Sequence, residues 1–445
     1  MAGELTREKC RFSPSRLVSV VLLLCVAAGL PASSQEKKFD RGLAKRMLHD
    51  VENDLKQNYY DPSFHGVDIT ARFKEAEDKI NHAPSMNYAL ADIAAALDAL
   101  NDSHTFFTPP PRPYVHSYGI RIQAIGNTDC FVTAVRPGGD AAQKGVRPGD
   151  QVISVNGYGA TRQNLWKINY LYGALRPQPG LRLVLRSPEG NERQVDVSAQ
   201  VRETKRIVDW SDLFGMLLQP QLQRRGFVEY GNKAIVYKLS SFMINPREGE
   251  EILDRIRTHD AVILDLRDNP GGYVDAMKEL LSGFFDQKVK VADRQGRRNL
   301  KPEFTKPRPH QTFNGKLIVL VNSGSASAAE VFARVVQLEK RGTVVGDRSS
   351  GSVMESRHYP HVSGAIVLDA YGSSITEADM IMSDGKSLEH VGVMPDERLI
   401  PMPSDLAAGR DPVLARAAEL IALRLTPEDA GKLFPIEWSK EMDKD

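Results

Sequence analysis

The sequence predicts a multidomain protein of mixed α+β and α/β class. Its parts are an N-terminal helical segment (35–108), a small β-rich domain (109–201), an α/β domain (202–428) and a charged tail (429–445). Three observations carry this. Apolar residues recur at helical spacing between Arg41 and Asn101; beyond Pro109-Pro110-Pro111-Arg112-Pro113 they alternate in short runs; from Asn232 onward buried-strand runs alternate with helical stretches. A length of 445 residues, 41% of them hydrophobic, fits two or three packed domains and excludes a disordered or collagen-like chain. With 58 Lys+Arg against 57 Asp+Glu the formal charge is +1, so no global field draws nucleic acid or an anionic membrane.

The first 34 residues read as a secretory signal peptide. Arg7, Lys9, Arg11 and Arg16 precede an apolar run from Leu17 to Leu30, and the small residues Ala32-Ser33-Ser34 follow. That run is shorter than the ~20 residues a spanning helix needs. An uncleaved anchor is the alternative and the only expected membrane attachment; a lipid attachment at Cys25 is disfavoured because Leu24 precedes it. The mature chain would be close to neutral, periplasmic or extracellular, and left with Cys130 as its one thiol, hence without an intramolecular disulfide. Cys130 lies in the apolar run Cys130-Phe131-Val132 and reads as a buried, inert thiol.

In the helical segment, Leu43, Met47, Val51 and Leu55 mark one helix, and Ile69, Phe73, Ala76 and Ile80 a second, with a break at Tyr60-Asp61-Pro62. Leu90, Ile93, Leu97 and Leu100 mark a third, starting at Pro84-Ser85. Strands are expected at 120–122, 131–135, 152–155 and 181–185. The words between them, Val135-Arg136-Pro137-Gly138-Gly139-Asp140-Ala141-Ala142, then Gly145-Val146-Arg147-Pro148-Gly149-Asp150 and Asn156-Gly157, resemble a PDZ domain. The resemblance implies capture of peptide carboxy-termini by strand addition, with Tyr118, Gly119 and Ile120 as the carboxylate-binding loop. A PDZ fold used only as a spacer or lid is the alternative.

In the α/β domain, buried strands are expected at 234–237, 261–266 and 316–321, and a last helix from Asp411 to Leu425. Asn322-Ser323-Gly324-Ser325-Ala326-Ser327-Ala328-Ala329-Glu330 follows the third strand and opens a helix over Val331–Lys340. Serines at a strand-to-helix turn can cap the helix, or can use its unpaired N–H groups and dipole to stabilise the anion that develops in acyl transfer. A second tight turn, Arg267-Asp268-Asn269-Pro270-Gly271-Gly272, ends the preceding strand where open α/β sheets place ligands.

Together with the PDZ-like segment, these paired turns resemble the carboxy-terminal processing and tricorn-core family of serine peptidases over roughly residues 40–400. The resemblance implies a crotonase-like α/β catalytic domain, Ser327 as nucleophile, and an oxyanion hole from the backbone N–H groups of Gly271 and Ala328. In the better-known branch a lysine 25 residues after the nucleophile is the base, but this chain has Ser352 there. The tricorn-type branch uses a histidine from an early segment, which Leu100-Asn101-Asp102-Ser103-His104-Thr105 resembles; His104 is then the base and Ser103 orients the site. Leu388-Glu389-His390-Val391-Gly392-Val393-Met394-Pro395-Asp396 resembles the segment carrying the family's acidic residue, which makes Glu389 the acidic candidate. Read without the family, His104 is a helix C-cap and Glu389 a surface ion-pair partner.

His358 and His361 are separated by two residues, and the sequence has neither HExxH nor paired CxxC spacing, so neither a metal nor another cofactor is expected. The basic run around Lys288, Lys290, Arg294, Arg297 and Arg298 reads as a solvated loop and not a nucleic-acid surface. Glu330 reads as a first-turn helix charge. The expected function is an exported serine endopeptidase of the Ser-His type whose partners are protein or peptide substrates, recruited by their carboxy-termini. The alternative is a catalytically silent or autoinhibited PDZ-containing peptide-binding protein, and the oligomeric state stays open.

Overall fold

The computed structural model describes residues 39–203, 225–298, 300–363 and 369–438; the segment expected to be a signal peptide, residues 204–224 and the tail end 439–445 lie outside them. Three helices come first: α1 (Arg41–Asn58), α2 (Ile69–His82) and α3 (Met86–Asp98). Their apolar stripes are buried, with Met47, Val51 and Leu55 on α1, Phe73 and Ile80 on α2, and Leu90, Ile93 and Leu97 on α3. Asp68 caps α2 by accepting the Ala71 N–H, which satisfies one of the donors a helix start leaves open. This bundle does not stand apart. Strand β1 (Phe106–Thr108) pairs antiparallel with the strand Asp369–Ile381 of the third domain.

The β-rich domain holds β2 (Tyr114–Ser117), β3 (Ile120–Ile125), β4 (Asp129–Val135), β5 (Gln151–Val155), β6 (Tyr158–Gly159), β7 (Gly180–Arg186), β8 (Glu192–Ser198) and β9 (Gln200–Glu203). The main sheet runs β3-β4-β5-β7-β8, so β3 is an edge strand, and β2 with β9 forms a separate ribbon. Alternate residues of these strands meet the helix Leu165–Tyr170 in a core that includes Cys130, Val132, Leu183 and Leu185. Burial pushes the Cys130 thiol up to about 12, which leaves it protonated and unreactive.

The third domain is built on a six-stranded sheet of β10 (Gly226–Tyr230), β11 (Ala234–Lys238), β12 (Ala261–Asp265), β15 (Lys316–Val321), β16 (Thr343–Gly346) and β19 (Glu397–Arg398), parallel from β11 onward. Residues 234–238, 261–265 and 317–321 are buried on both faces. Val262, Leu264, Leu317 and Val319 face the helices Pro246–Arg257, Val274–Ser282 and Ala328–Leu338, whereas Ile263, Ile318 and Leu320 face the helix Pro412–Leu420. A second sheet, β1-β18-β13-β14 with β17 on β18, uses β13 (Lys290–Gly296), β14 (Glu303–Phe304), β17 (Met354–Ser363) and β18 (Asp369–Ile381).

Two expected boundaries move. The last long helix stops at Leu420 and not Leu425, because Ala422 takes a positive φ of 56° and Thr426-Pro427 starts a new turn. The helix after the serine turn starts at Ala328, three residues earlier than expected. Among the described residues no helix is long and apolar enough to cross a membrane.

The described residues from Arg41 onward form one compact unit. One buried ion pair fastens the β-rich domain to the α/β domain: Arg162 Nη1 lies 3.0 Å from Asp347 Oδ2, with both side chains 5% exposed. The same guanidinium donates to Gly126 O and Ser349 O, and Asp347 accepts the Gly126 N–H. Asp347→Ala leaves Arg162 buried and unpaired. It should cost about 3–5 kcal/mol of interdomain stability, read as faster hydrogen exchange at Gly126 and Ser349; unchanged exchange there would show that the pair does not fasten the domains.

Candidate active site

Ser327 occupies the turn between β15 and the helix Ala328–Leu338 at φ 54°, ψ −121°, a conformation that costs a non-glycine residue energy and that the surroundings must enforce. They do so through hydrogen bonds on both backbone and side chains. The Ser327 N–H donates to Ser352 O (2.8 Å) and to Glu330 Oε2 (3.1 Å), the Ala326 N–H donates to Asn269 O (2.9 Å), and Ser325 Oγ donates to Leu266 O (2.8 Å). The serine turn is thus bolted to the turn that follows β12. Ser327 itself is half-buried, and its hydroxyl has no hydrogen-bond partner among the described residues.

Gly271 sits directly against it. A Cβ at this position, where φ is 99°, would lie 2.7 Å from Ser327 Cβ and 3.0 Å from Ala328 N, so only glycine leaves this space open. The Ala328 N–H, first in its helix, has no hydrogen-bond partner among the described residues and borders that space. The Gly271 N–H does not join it. The expectation of two converging donors is corrected here, because the Asn269 side chain folds back over Pro270 and its Oδ1 accepts the Gly271 N–H at 2.8 Å.

His104 lies in an irregular segment after α3, not at a helix C-cap. Ser103 Oγ donates to Glu389 Oε2 (2.9 Å) and lies 2.8 Å from His104 Nδ1. A hydroxyl has one proton, and that proton goes to the carboxylate. The Ser103 oxygen therefore accepts from His104 Nδ1–H, which leaves Nε2 as the lone-pair nitrogen. Glu389 Oε1 also accepts the Ser103 N–H at 2.9 Å. Burial lowers the His104 pKa, and the Glu389 and Asp102 charges work against that fall.

Ser327 and His104 share no hydrogen bond, but one peptide unit lies between their supports. Its carbonyl, Ser352 O, accepts the Ser327 N–H, and its amide, Val353 N–H, donates to Glu389 Oε2 at 2.8 Å. The loop carrying that peptide is held by Glu330. This buried carboxylate accepts Ser349 Oγ–H (2.5 Å), Gly351 N–H (2.7 Å) and Ser352 N–H (2.9 Å) besides Ser327 N–H. Burial pushes its pKa up to about 7 against the pull of those four donors. The sequence reading of Glu330 as a first-turn helix charge is therefore incomplete. A buried acid three residues after the serine was the available signal.

The PDZ-like loop has Gly119 at φ 65° with its carbonyl accepting Arg136 N–H (2.8 Å), the Tyr118 hydroxyl donating to Gln178 O (2.9 Å), and Ile120 buried at the start of β3. Two β3 side chains reach the turn after β12: Arg121 Nη2 is 2.5 Å from Asp268 Oδ1, and Gln123 Nε2 donates to the same oxygen. Asp268 holds φ 62°. Although burial raises the pKa of its carboxyl, Arg121 and Lys238 hold it well below the carboxylate range. Lys238 is buried beneath this turn and donates to Arg267 O at 2.6 Å, so it braces the backbone and does not reach the serine turn. His361 pairs with Asp54 at 2.8 Å, and the basic run is dispersed, with Arg294 on Glu355 and Lys290 on Asp293.

Two substitutions test this geometry. Gly271→Ala should cut the reaction of Ser327 with a fluorophosphonate by about 10²-fold or more, since the new methyl has no room beside Ser327 and Ala328 N; an unaffected rate would contradict the packing. Glu330→Gln places an NH₂ against N–H donors and should slow the same reaction at least ~10-fold with circular dichroism unchanged. A full rate would show that the loop holds without the carboxylate.

Comparison with known proteins is consistent with these turns. Residues 235–399 match the model of peptidase family S41, and residues 111–168 match that of the PDZ domain. The chain is 27% identical over 376 residues to the chloroplastic C-terminal processing peptidase of Tetradesmus obliquus, covering 78% of this chain and 76% of that one. It is 24% identical to the carboxy-terminal processing protease CtpA of Bacillus subtilis, over 82% of this chain and 69% of that one. It spans only 38% of the tail-specific protease of Haemophilus influenzae, at 26% identity. In fold it is similar to mature CPAF in complex with lactacystin (TM-score 0.59, 16% identity, 86% of this chain and 97% of that one). The chain therefore carries a region that matches peptidase family S41, preceded by one that matches the PDZ domain, and its relatives are C-terminal processing proteases.

Proposed function

We propose that the protein is an exported endopeptidase in which His104, not a lysine, activates Ser327. The observation that carries this is the relay Glu389···Ser103···His104, which leaves Nε2 unprotonated and able to accept a proton. Ser327 Oγ attacks the scissile carbonyl as its proton passes to His104 Nε2. The oxyanion is met by the Ala328 N–H beside Gly271, and the imidazolium is stabilised through Ser103 by Glu389. His104 then returns the proton to the leaving amine, and water cleaves the acyl-enzyme by the same route. Position 352 supports the choice of base: it is a serine whose Oγ pairs with Ser350 Oγ at 2.9 Å.

The substrates are protein or peptide chains, and the PDZ domain recruits them by their carboxy-termini along the edge strand β3. The amino-terminal basic and apolar run directs export to the periplasm or beyond.

The full chain is incubated with a serine-directed fluorophosphonate and the label located by peptide mass. Label on Ser327 is expected, with its rate reduced about 10²–10⁴-fold in His104→Ala and the label absent in Ser327→Ala. Peptide binding with no label under any condition would favour the silent scaffold. The rate should fall in acid in two steps. The first lies near pH 7, as Glu330 takes a proton and its loop slackens, and the second lies below the ordinary imidazole range, as His104 becomes charged. A single step in the ordinary imidazole range or above it would contradict this ordering.

A further inference from the structure

Two buried polar atoms near His104 have no part in the relay. The Tyr59 hydroxyl, on a ring that is 0% exposed at the end of α1, and Asp102 Oδ2 both lack a hydrogen bond of ordinary geometry. They face each other closely enough that the Asp102 charge acts on the Tyr59 hydroxyl. The other oxygen of Asp102 is fully used. Oδ1 accepts His104 N–H (2.8 Å), Thr105 N–H (3.0 Å) and Thr376 Oγ1–H (2.7 Å).

Thr376, on β18, completes a closed circuit: its N–H donates to Thr105 Oγ1 (3.1 Å), which donates to Thr376 Oγ1 (3.1 Å), which donates to Asp102. The helical segment adds its own anchors. His65 Nδ1 donates to Leu100 O (3.1 Å), and Tyr60 N–H donates to Thr376 O (2.9 Å).

We propose that Asp102 is a positioning residue for His104, fixing the backbone of the base through Oδ1 while its charge, left unneutralised toward Tyr59, favours the imidazolium form. The proposal rests on the reading of His104 as the base. The groups facing His104 are Glu389 and Asp102; those facing Asp102 are Tyr59 and Tyr60 from the end of α1 and Asp379 from β18. Burial first, and the Asp102 charge second, raise both phenols, so they stay neutral across the working range. A neutral phenol opposite Oδ2 leaves the carboxylate charge in place beside the imidazole. The segment after α3, packed against the tyrosines that follow α1, thereby sets both the place and the basicity of the base.

The sign is fixed by electrostatics. A carboxylate near an imidazole favours the charged ring, so removing it lowers the pKa of His104. Asp102→Asn isolates this effect, because an amide oxygen still accepts the three Oδ1 bonds while the charge is gone. The test follows imidazole NMR signals of the full chain through a pH titration, with His104 assigned by the signal absent in His104→Ala. In Asp102→Asn the His104 midpoint should fall by about one pH unit. Asp102→Ala, which loses the backbone bonds as well, should slow phosphonylation of Ser327 at least ~10-fold, and Asp102→Asn should restore part of that loss. An unchanged or raised His104 midpoint in Asp102→Asn overturns the proposal, whether or not Asp102→Ala folds. Full-rate phosphonylation in His104→Ala overturns the base assignment separately, because the NMR midpoint still reports the Asp102 charge.

Discussion

The site depends on a single peptide unit, Ser352–Val353, suspended between two carboxylates. Glu330 holds the loop that carries it, and Glu389 accepts a hydrogen bond from its amide N–H. Its carbonyl in turn fixes Ser327 in a backbone conformation that a serine does not adopt without support. Acceptors of this kind are strong because carboxylates receiving N–H donors form charge-assisted bonds in a low-dielectric setting. The cost is the desolvation of Glu330, visible in its raised pKa. The arrangement makes Ser327 and His104, the proposed nucleophile and base, parts of one bonded assembly, although 223 residues separate them in sequence.

Each element of the chain contributes one wall to this assembly. The parallel sheet brings the turns after β12 and β15 side by side, as expected for the carboxy-terminal edge of an open α/β sheet. Glycine at 271 lets those turns approach until a methyl would not fit. The helical bundle reaches in through Asp102 and Thr105, stapled to β18, and the PDZ domain through Arg121 on Asp268. The ion pair Arg162–Asp347 keeps the PDZ domain seated where that second contact is possible.

Much of this was legible in the sequence, and the boundary between what was and was not is physical. The amphipathic spacing of α1 to α3 and the double-sided burial of β11, β12 and β15 leave plain periodic traces. Two small-residue turns at strand ends announce a site because bulky residues cannot make them. The long hairpin of β17 and β18 left no trace, since β17 has mostly half-exposed polar residues and no alternation. Glu330 and Asp102 were hidden for a different reason. A carboxylate in a helix's first turn or before a serine reads as an ordinary surface charge until the fold shows which donors it gathers. Likewise the Gly271 N–H looked free until Asn269, two residues earlier, turned back onto it.

The most direct test of this account is a crystal structure of the full chain phosphonylated at Ser327. The account predicts a phosphonyl oxygen within hydrogen-bond distance of the Ala328 N–H, His104 Nε2 directed at the ester oxygen, and the Glu389–Ser103–His104 relay unbroken. A phosphonyl group facing a lysine, or a His104 ring turned away from Ser327 with the relay broken, would contradict it.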